Sequence, residues 1–338
     1  MKENAPYYSD LKAVAEEYLG LNALIGKKIL VTGASGLIGS AVIDFLCGTL
    51  NMNSVYAAGR DINKLQQRFA GYDCCYVDYD ATSDIRFDDV DFDYIIHAAS
   101  PANPRVYGTN PVETMLANMI GVNNLAQYVI RAGKGRILFV SSSEVYGKNT
   151  SGNQYKETDY GYVDILNSRS CYPSSKRAAE TLLASYKQEY GLDFTVVRPG
   201  HIYGPTALSS DNRVSSAFFY DVLSGKDIIM KSSGVQRRSY CYVVDCVSAI
   251  LISLVNGASG EAYNISNEKS ICTIRALAES IAQNSGRQVL FENPTDSEKS
   301  SFNPMDNSAL DAERLENLGW HALFDLDIGV KHTLDSLG

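Results

Sequence analysis

In the run Ser170-Cys171-Tyr172-Pro173-Ser174-Ser175-Lys176-Arg177, a lysine follows a tyrosine by four positions. Residues four apart share one face of a helix, so the Lys176 ammonium is expected beside the Tyr172 phenol. A free tyrosine, with a pKa of about 10, is a weak base at neutral pH. A fixed positive charge next to it favours the phenolate and brings the group toward the range in which an acid/base catalyst works. The pairing therefore points to proton transfer at a redox site. In a chain with 22 tyrosines the spacing also arises by coincidence on surfaces, so the elements that position it have to be read as well.

The first of these elements is Lys27-Lys28-Ile29-Leu30-Val31-Thr32-Gly33-Ala34-Ser35-Gly36-Leu37-Ile38-Gly39, a short apolar run feeding three glycines and then the amphipathic segment 40–46. It reads as strand, tight turn and helix. Gly33 allows the turn, Gly36 lets the backbone approach a pyrophosphate, and Gly39 lets the helix pack closely on the strand. Ser35, Leu37 and Ile38 complete the stretch expected to contact a dinucleotide. The second strand, Val55-Tyr56-Ala57-Ala58-Gly59-Arg60, ends without the acid that would grip the adenosine ribose hydroxyls. Gly59 stands there, and Arg60 after it suits a 2′-phosphate, so the local chemistry leans to NADP and the choice between NAD and NADP stays open. Asp80, beyond the third strand, is expected near the adenine in either case.

At 338 residues the chain has room for a large α/β core and a second, smaller lobe. Apolar content of 45% and charged content of 20% are ordinary for a globular protein. A net charge of −9 disfavours nucleic acid as a partner, because such binding needs clustered Lys and Arg. Seven scattered cysteines with no C-x-x-C pair, and four histidines, argue against a metal site and suit reduced thiols in a cytoplasmic protein. Cys171 reads as a packed neighbour of Tyr172 rather than a reactive thiol. No run of about 18 apolar residues suggests a membrane span, and 1–26 lacks the apolar core of a targeting peptide. Leu11, Val14, Ala15, Tyr18 and Leu19 fall at helical spacing there.

Further along, strands are expected at 54–59, 74–77, 94–98, 136–141 and 194–198, and helices at 61–69, 111–132 and 170–190. This alternation specifies a doubly wound, Rossmann-type parallel sheet. The expected division is an N-terminal helical extension at 1–26, a dinucleotide-binding domain at 27–200 rejoined by about 239–260, and a substrate lobe from 201–238 and 261–338.

Five motifs occur in order: Gly-x-x-Gly-x-x-Gly, Ile95-Ile96-His97-Ala98-Ala99-Ser100-Pro101, Ser141-Ser142-Ser143-Glu144-Val145-Tyr146-Gly147, Tyr172-x-x-x-Lys176, and Arg198-Pro199-Gly200-His201-Ile202-Tyr203-Gly204-Pro205. Over about 28–277 the chain resembles the extended short-chain dehydrogenase/reductases that modify nucleotide-linked sugars. Within them it looks most like UDP-glucuronate decarboxylases, then nucleotide-sugar 4,6-dehydratases. The resemblance implies that Tyr172 takes the proton of the sugar C4 hydroxyl, that Lys176 holds ribose hydroxyls and lowers the Tyr172 pKa, and that Ser142 bonds the reacting oxygen. Glu144 would serve the later loss of carbon dioxide or water. Ala98, Ala99, Ser100 and Arg198 would line the cofactor. Pro101, Ser143, Glu144, His201, Arg213 and Arg238 would line the sugar nucleotide, the arginines gripping diphosphate or sugar acid. His201 stands where the family usually carries Asn, which alters the pocket. Epimerisation, ketone reduction and a non-catalytic nucleotide sensor are the other outcomes such a chain allows. The resemblance also implies a homodimer formed through helices such as 111–132, whose stripe Val112, Met115, Leu116, Met119, Ile120 and Asn123 could alternatively cover its own sheet.

Overall fold

The strands Ile29–Thr32 (β1) and Arg136–Val140 (β5) carry the continuous apolar runs 29–31 and 137–140 rather than alternating ones, the pattern of strands covered on both faces. The computed structural model describes residues 5–83, 87, 90–148, 152–295 and 305–338, apart from the side chains of residues 104 and 105. Between β1 and β5 come Val55–Gly59 (β2), Cys75–Asp78 (β3) and Tyr94–His97 (β4); Phe194–Pro199 (β6) follows. The seven-stranded sheet has the order β10-β6-β5-β4-β1-β2-β3, where β10 is Ala262–Ile265, and every pairing in it is parallel. The chain winds outward from β1 to β3, then crosses back to lay β4 against β1, with Ile29 opposite both Val55 and Tyr94. That reversal opens a crevice at the carboxyl ends of β1 and β4, the place where sheets of this kind bind ligands.

Successive residues of β1 face opposite layers. Leu30 joins Ile95, Phe139, Val122, Leu125 and Leu183 under the helices Pro111–Ala132 (α5) and Cys171–Tyr190 (α6). Ile29 and Val31 join the larger cluster under Leu37–Ile43 (α2) and Val243–Asn256 (α8). Each fully buried leucine or valine contributes about 1.5–3 kcal/mol, so both layers hold the sheet.

Two expected boundaries shift. The segment after 260 does not lie wholly in the substrate lobe: β10 pairs with β6, Ala262 opposite Val196, and closes the edge of the central sheet. The N-terminal segment is built into the core rather than appended to it. Its helix Pro6–Glu17 (α1) buries Tyr7, Leu11 and Val14, and Tyr7 donates to Asp44 across 2.9 Å. Asp10 accepts from the Tyr242 hydroxyl at 3.1 Å and faces the His332 imidazole at 2.9 Å, on the C-terminal helix Leu326–Leu337.

The remaining lobe is built on a small sheet in which Arg237–Tyr242 (β9) pairs with His201–Tyr203 (β7) and Ile271–Thr273 (β11). His201 lies opposite Tyr240, which brings the Arg198-to-Pro205 motif against the strand carrying Arg238. Among the described residues, no helix is long and apolar enough to cross a membrane, and no cluster of metal-ligating side chains is present.

Candidate active site

The crevice begins at the glycine turn. Gly33 has φ +69°, and a Cβ there would stand 2.7 Å from the Ala99 nitrogen and 2.8 Å from the Ala98 oxygen. A Cβ on Gly39 would collide with the Gly33 carbonyl oxygen, whereas one on Gly36 would meet only that oxygen, at 3.2 Å. Turn, strand β4 and helix α2 are thus in backbone contact at Gly33 and Gly39, while Gly36 is the N-cap of α2 and supplies no side-chain cap. The first N–H groups of the helix, next to Ser35, Leu37 and Ile38, are left for an anion. Ser100 has a buried hydroxyl with no hydrogen-bond partner, in the same run as Ala98, Ala99 and Pro101 after β4. An open phosphate cradle and an unpaired hydroxyl at the switch point fit a dinucleotide.

At the far end, Arg60 is exposed after β2 and Asp80 follows β3. Asp80 accepts from the Thr82 N–H and hydroxyl at 2.8 and 2.7 Å, bonds that hold its carboxyl below the usual range, with the Arg60 charge assisting. Arg198 is placed differently from expectation. Its guanidinium is committed to Glu180 at 3.1 and 2.6 Å, the Tyr146 hydroxyl at 3.0 Å and the Glu157 carbonyl at 2.9 Å. These bonds tie β6 to α6 and commit most of the N–H donors of that side chain within the protein.

Beyond β5 the chain turns sharply. Ser142 caps a short 3-10 turn at Ser143–Tyr146, its hydroxyl accepting from the Glu144 N–H at 3.2 Å. Ser142 also acts on Tyr172, at the start of α6, favouring the ionised phenol. Lys176, one turn on, is 1% exposed. Its Nζ donates to the Val140 carbonyl at 2.8 Å and lies 4.5 Å from the Phe139 ring centroid and 5.9 Å from that of Tyr172. Ser142, Glu144, Tyr172 and Lys176 therefore meet as expected.

The electrostatics of the pair differ from the expectation. Burial pushes Tyr172 up to about 12, the Glu144 charge adds to this, and the Ser142 hydrogen bond with the Arg213 and Arg169 charges opposes it. Burial also pushes Lys176 down to about 7, against the pull of Glu180. In the protein alone the net shift of Tyr172 is thus upward and that of Lys176 downward, because desolvation disfavours the charged form of both groups and acts in opposite directions on an acid and an amine.

The substrate side is cationic. Arg238 is 3% exposed and donates to the Arg237 carbonyl at 2.9 Å; among the described residues no carboxylate pairs with it. Burial lowers its pKa, and an unpaired buried charge of this kind is expensive unless an anion completes it. Arg213 is different, being already clasped by Asp211 at 2.9 and 3.1 Å. His201 packs edge-on against Tyr240, with ring centroids 5.7 Å apart, and has a buried Nδ1 without a partner. Burial and the nearby Arg238 and Arg213 push it down to about 3, so it is a neutral imidazole at any physiological pH. Ser143 is buried beneath the turn.

Two residues were missed by the sequence reading. Arg169 holds Glu144 with both ends of its fork, at 2.6 and 3.0 Å, and its carbon lies 5.0 Å from the Tyr107 ring centroid. Tyr107, from the helix Pro104–Thr109 (α4), stacks on Tyr172 at 5.1 Å with 16° between planes. Arg169 had a positional signal, since it precedes Tyr172 by three residues and so falls on its side of a helical turn. Tyr107 had none. Cys171 is a packed neighbour as expected, buried and donating to the Tyr107 carbonyl at 3.6 Å.

Known proteins carry the same fold. The model of the NAD dependent epimerase/dehydratase family matches residues 29–266. A UDP-glucuronic acid decarboxylase 6 of Arabidopsis thaliana is 34% identical over 261 residues, which is 76% of this chain and 74% of that protein. A UDP-glucuronic acid decarboxylase 1 of Xenopus tropicalis is 31% identical over 314 residues, 91% of this chain and 71% of that protein. Among solved structures, a UDP-glucose 4-epimerase of Thermotoga maritima superposes with a TM-score of 0.77 at 23% identity, covering 91% of this chain and 97% of that one. A dTDP-glucose 4,6-dehydratase of Bacillus anthracis, solved with NAD, superposes at 0.75 and 22%, covering 91% and 95%. With the family model matching over residues 29–266, more than half of the chain, and relatives above 30% identity, the protein belongs to the NAD dependent epimerase/dehydratase family.

Proposed function

We propose that the protein oxidises a nucleotide-linked sugar at C4 and then removes its C6 carboxylate, with UDP-glucuronate as the substrate class. The observation that carries this reading is a buried Tyr172 phenol, with Lys176 5.9 Å from its ring, on which Ser142 and the Glu144 charge both act, so that an acid/base group and a carboxylate address one reacting centre. The relatives named UDP-glucuronic acid decarboxylase support the choice of sugar, and the unpaired Arg238 supports an anionic substrate. A nicotinamide dinucleotide, when bound, takes up the C4 hydride and later gives it back. Tyr172 receives the C4 hydroxyl proton, and Ser142 steadies the oxygen between them. With C4 a ketone, the carboxyl on C5 belongs to a β-keto acid. Its C5–C6 bond breaks, carbon dioxide leaves, and the electron pair passes into an enolate whose oxygen Ser142 and Tyr172 stabilise. A proton then returns to C5, with Glu144 adjacent to organise that stage.

The exposed Arg60 after Gly59 supports tolerance of a 2′-phosphate, while the family is defined by NAD. Mass spectrometry of the purified enzyme with a panel of nucleotide sugars, run with NAD and with NADP, tests both points. Carbon dioxide loss from UDP-glucuronate is the expected result. Water loss from a nucleotide hexose, or a change of configuration without a change of mass, would replace decarboxylation by dehydration or epimerisation.

A homodimer is part of the same proposal. On α5 the sheet is covered by Asn118, Gly121, Val122, Leu125 and Val129, whereas Val112, Met115 and Leu116 are 62%, 41% and 46% exposed. The apolar stripe at the start of α5 is thus not spent on its own subunit and supports pairing with a second copy. Light scattering at micromolar concentration should give twice the chain mass of 37.0 kDa, and a monomer mass would defeat the assignment.

A further inference from the structure

We propose that Arg169 is a positioning residue of this site, whose fork fixes Glu144 and the Tyr107 ring in the places from which they act on Tyr172. The inference rests on the C4-oxidation reading and deepens it. The Tyr107 ring has two neighbours here: the Arg169 guanidinium, 5.0 Å from its centroid, and the Tyr172 ring, stacked on it at 5.1 Å. One end of the guanidinium is bonded to each Glu144 oxygen, and its NH2 also reaches the Tyr107 hydroxyl at 3.4 Å. Both side chains of the ion pair are 15% exposed, so the pair is largely withdrawn from water and from screening. A two-bond fork defines the orientation of a carboxylate as well as its position, which a lysine cannot do. The Cys171 thiol, bonded to the Tyr107 carbonyl, anchors α4 to the start of α6 and completes the frame.

This frame sets the charge that Tyr172 feels. Glu144 opposes ionisation of the phenol, Arg169 and Arg213 favour it, Lys176 sits 5.9 Å from the ring centroid, and Tyr107 and Cys171 pack beside it. Removing the Arg169 charge leaves Glu144 in the site without its counter-ion. The phenolate then becomes harder to form, and a Glu144 no longer held by the fork is free to swing from its place.

The test follows nicotinamide absorbance with UDP-glucuronate and UDP-glucose as probes, over a range of pH. Arg169→Gln should lower kcat by about a hundredfold, the scale of a misplaced catalytic group, with little change in KM. The limb of the profile that rises with pH should move to higher pH. Arg169→Lys restores the charge without the fork. Its limb should return toward that of the parent while kcat stays at least about tenfold low. Cofactor affinity, measured by fluorescence titration, should match the parent in both variants and shows that the glycine cradle is intact. A limb that does not move in Arg169→Gln, or a change confined to KM, overturns the inference. Should Arg169→Gln fail to fold, Arg169→Lys decides alone, and parental kcat there overturns it. A parent enzyme that reduces its cofactor with UDP-glucose only removes the decarboxylase reading and leaves this test intact. A parent that does so with neither probe removes both.

Discussion

Tyr172→Phe is expected to bind cofactor as the parent does and to turn over at least about a hundredfold more slowly. The ring keeps its stack on Tyr107 at 5.1 Å and its place in the buried cluster with Cys171, so the fold has no reason to fail. Only the phenol hydroxyl is lost, and with it the acceptor for the C4 proton. Because the phenol is raised to about 12 in the protein alone, turnover in the parent should climb with pH across the neutral range, as the reactive ionised fraction grows. The residual rate of Tyr172→Phe should lack that climb. Steady-state kinetics with the true substrate, alongside a cofactor titration, measure both. Near-parental turnover would take Tyr172 out of the chemistry.

Glu144→Gln should separate the two stages of the reaction. Oxidation at C4 requires Ser142, Tyr172 and Lys176, whereas departure of the C6 group draws on the carboxylate beside them. In a single turnover the variant should still reduce cofactor yet release decarboxylated product at least about a hundredfold more slowly. The sign of a second effect follows from the site. Glu144 raises the Tyr172 pKa, so removing its charge eases ionisation of the phenol and should shift cofactor reduction to lower pH, opposite to the shift expected on losing Arg169. Product release at the parental rate would exclude Glu144 from the second stage and favour epimerisation or simple reduction.

The parts of the fold set by local rules were legible in the sequence. Helix α5 begins at Pro111 and ends before Gly133, which adopts φ +69° and caps it, and both signals are explicit in the residue types. Helix α6 ends likewise at Gly191, with φ +71°. Strand β10 was hidden because Asn264 interrupts a four-residue run. That amide is buried in the structure, bonded to the Tyr146 hydroxyl and the Tyr155 carbonyl, so its suitability for a strand depends on partners more than a hundred positions away. The same limit governs the site. Spacing placed Tyr172 and Lys176 together, but the direction of their pKa shifts depends on how deeply the fold buries them. Arg198 matched a motif, yet Glu180, from a different element, determines what its donors do. Arg169 lies outside every motif, and only the turn that brings Glu144 beneath it gives it meaning.

The meeting of α1 with the C-terminal helix has a consequence for biosynthesis. Asp10 and His332 are 322 positions apart, and the backbone N–H of Tyr7 bonds the Ser336 hydroxyl across a similar span. On a ribosome α1 is made well before this partner and must wait for the intervening chain to be synthesised. Until then the face of α1 that carries Tyr7, Leu11 and Val14 lacks part of its cover, and apolar surface of this kind invites chaperones or aggregation. The sheet and its glycine turn can assemble earlier, from neighbours in sequence. Completion of this packing layer is thereby tied to synthesis of the helix Leu326–Leu337, and a chain released before that helix is made carries an uncovered apolar face on α1.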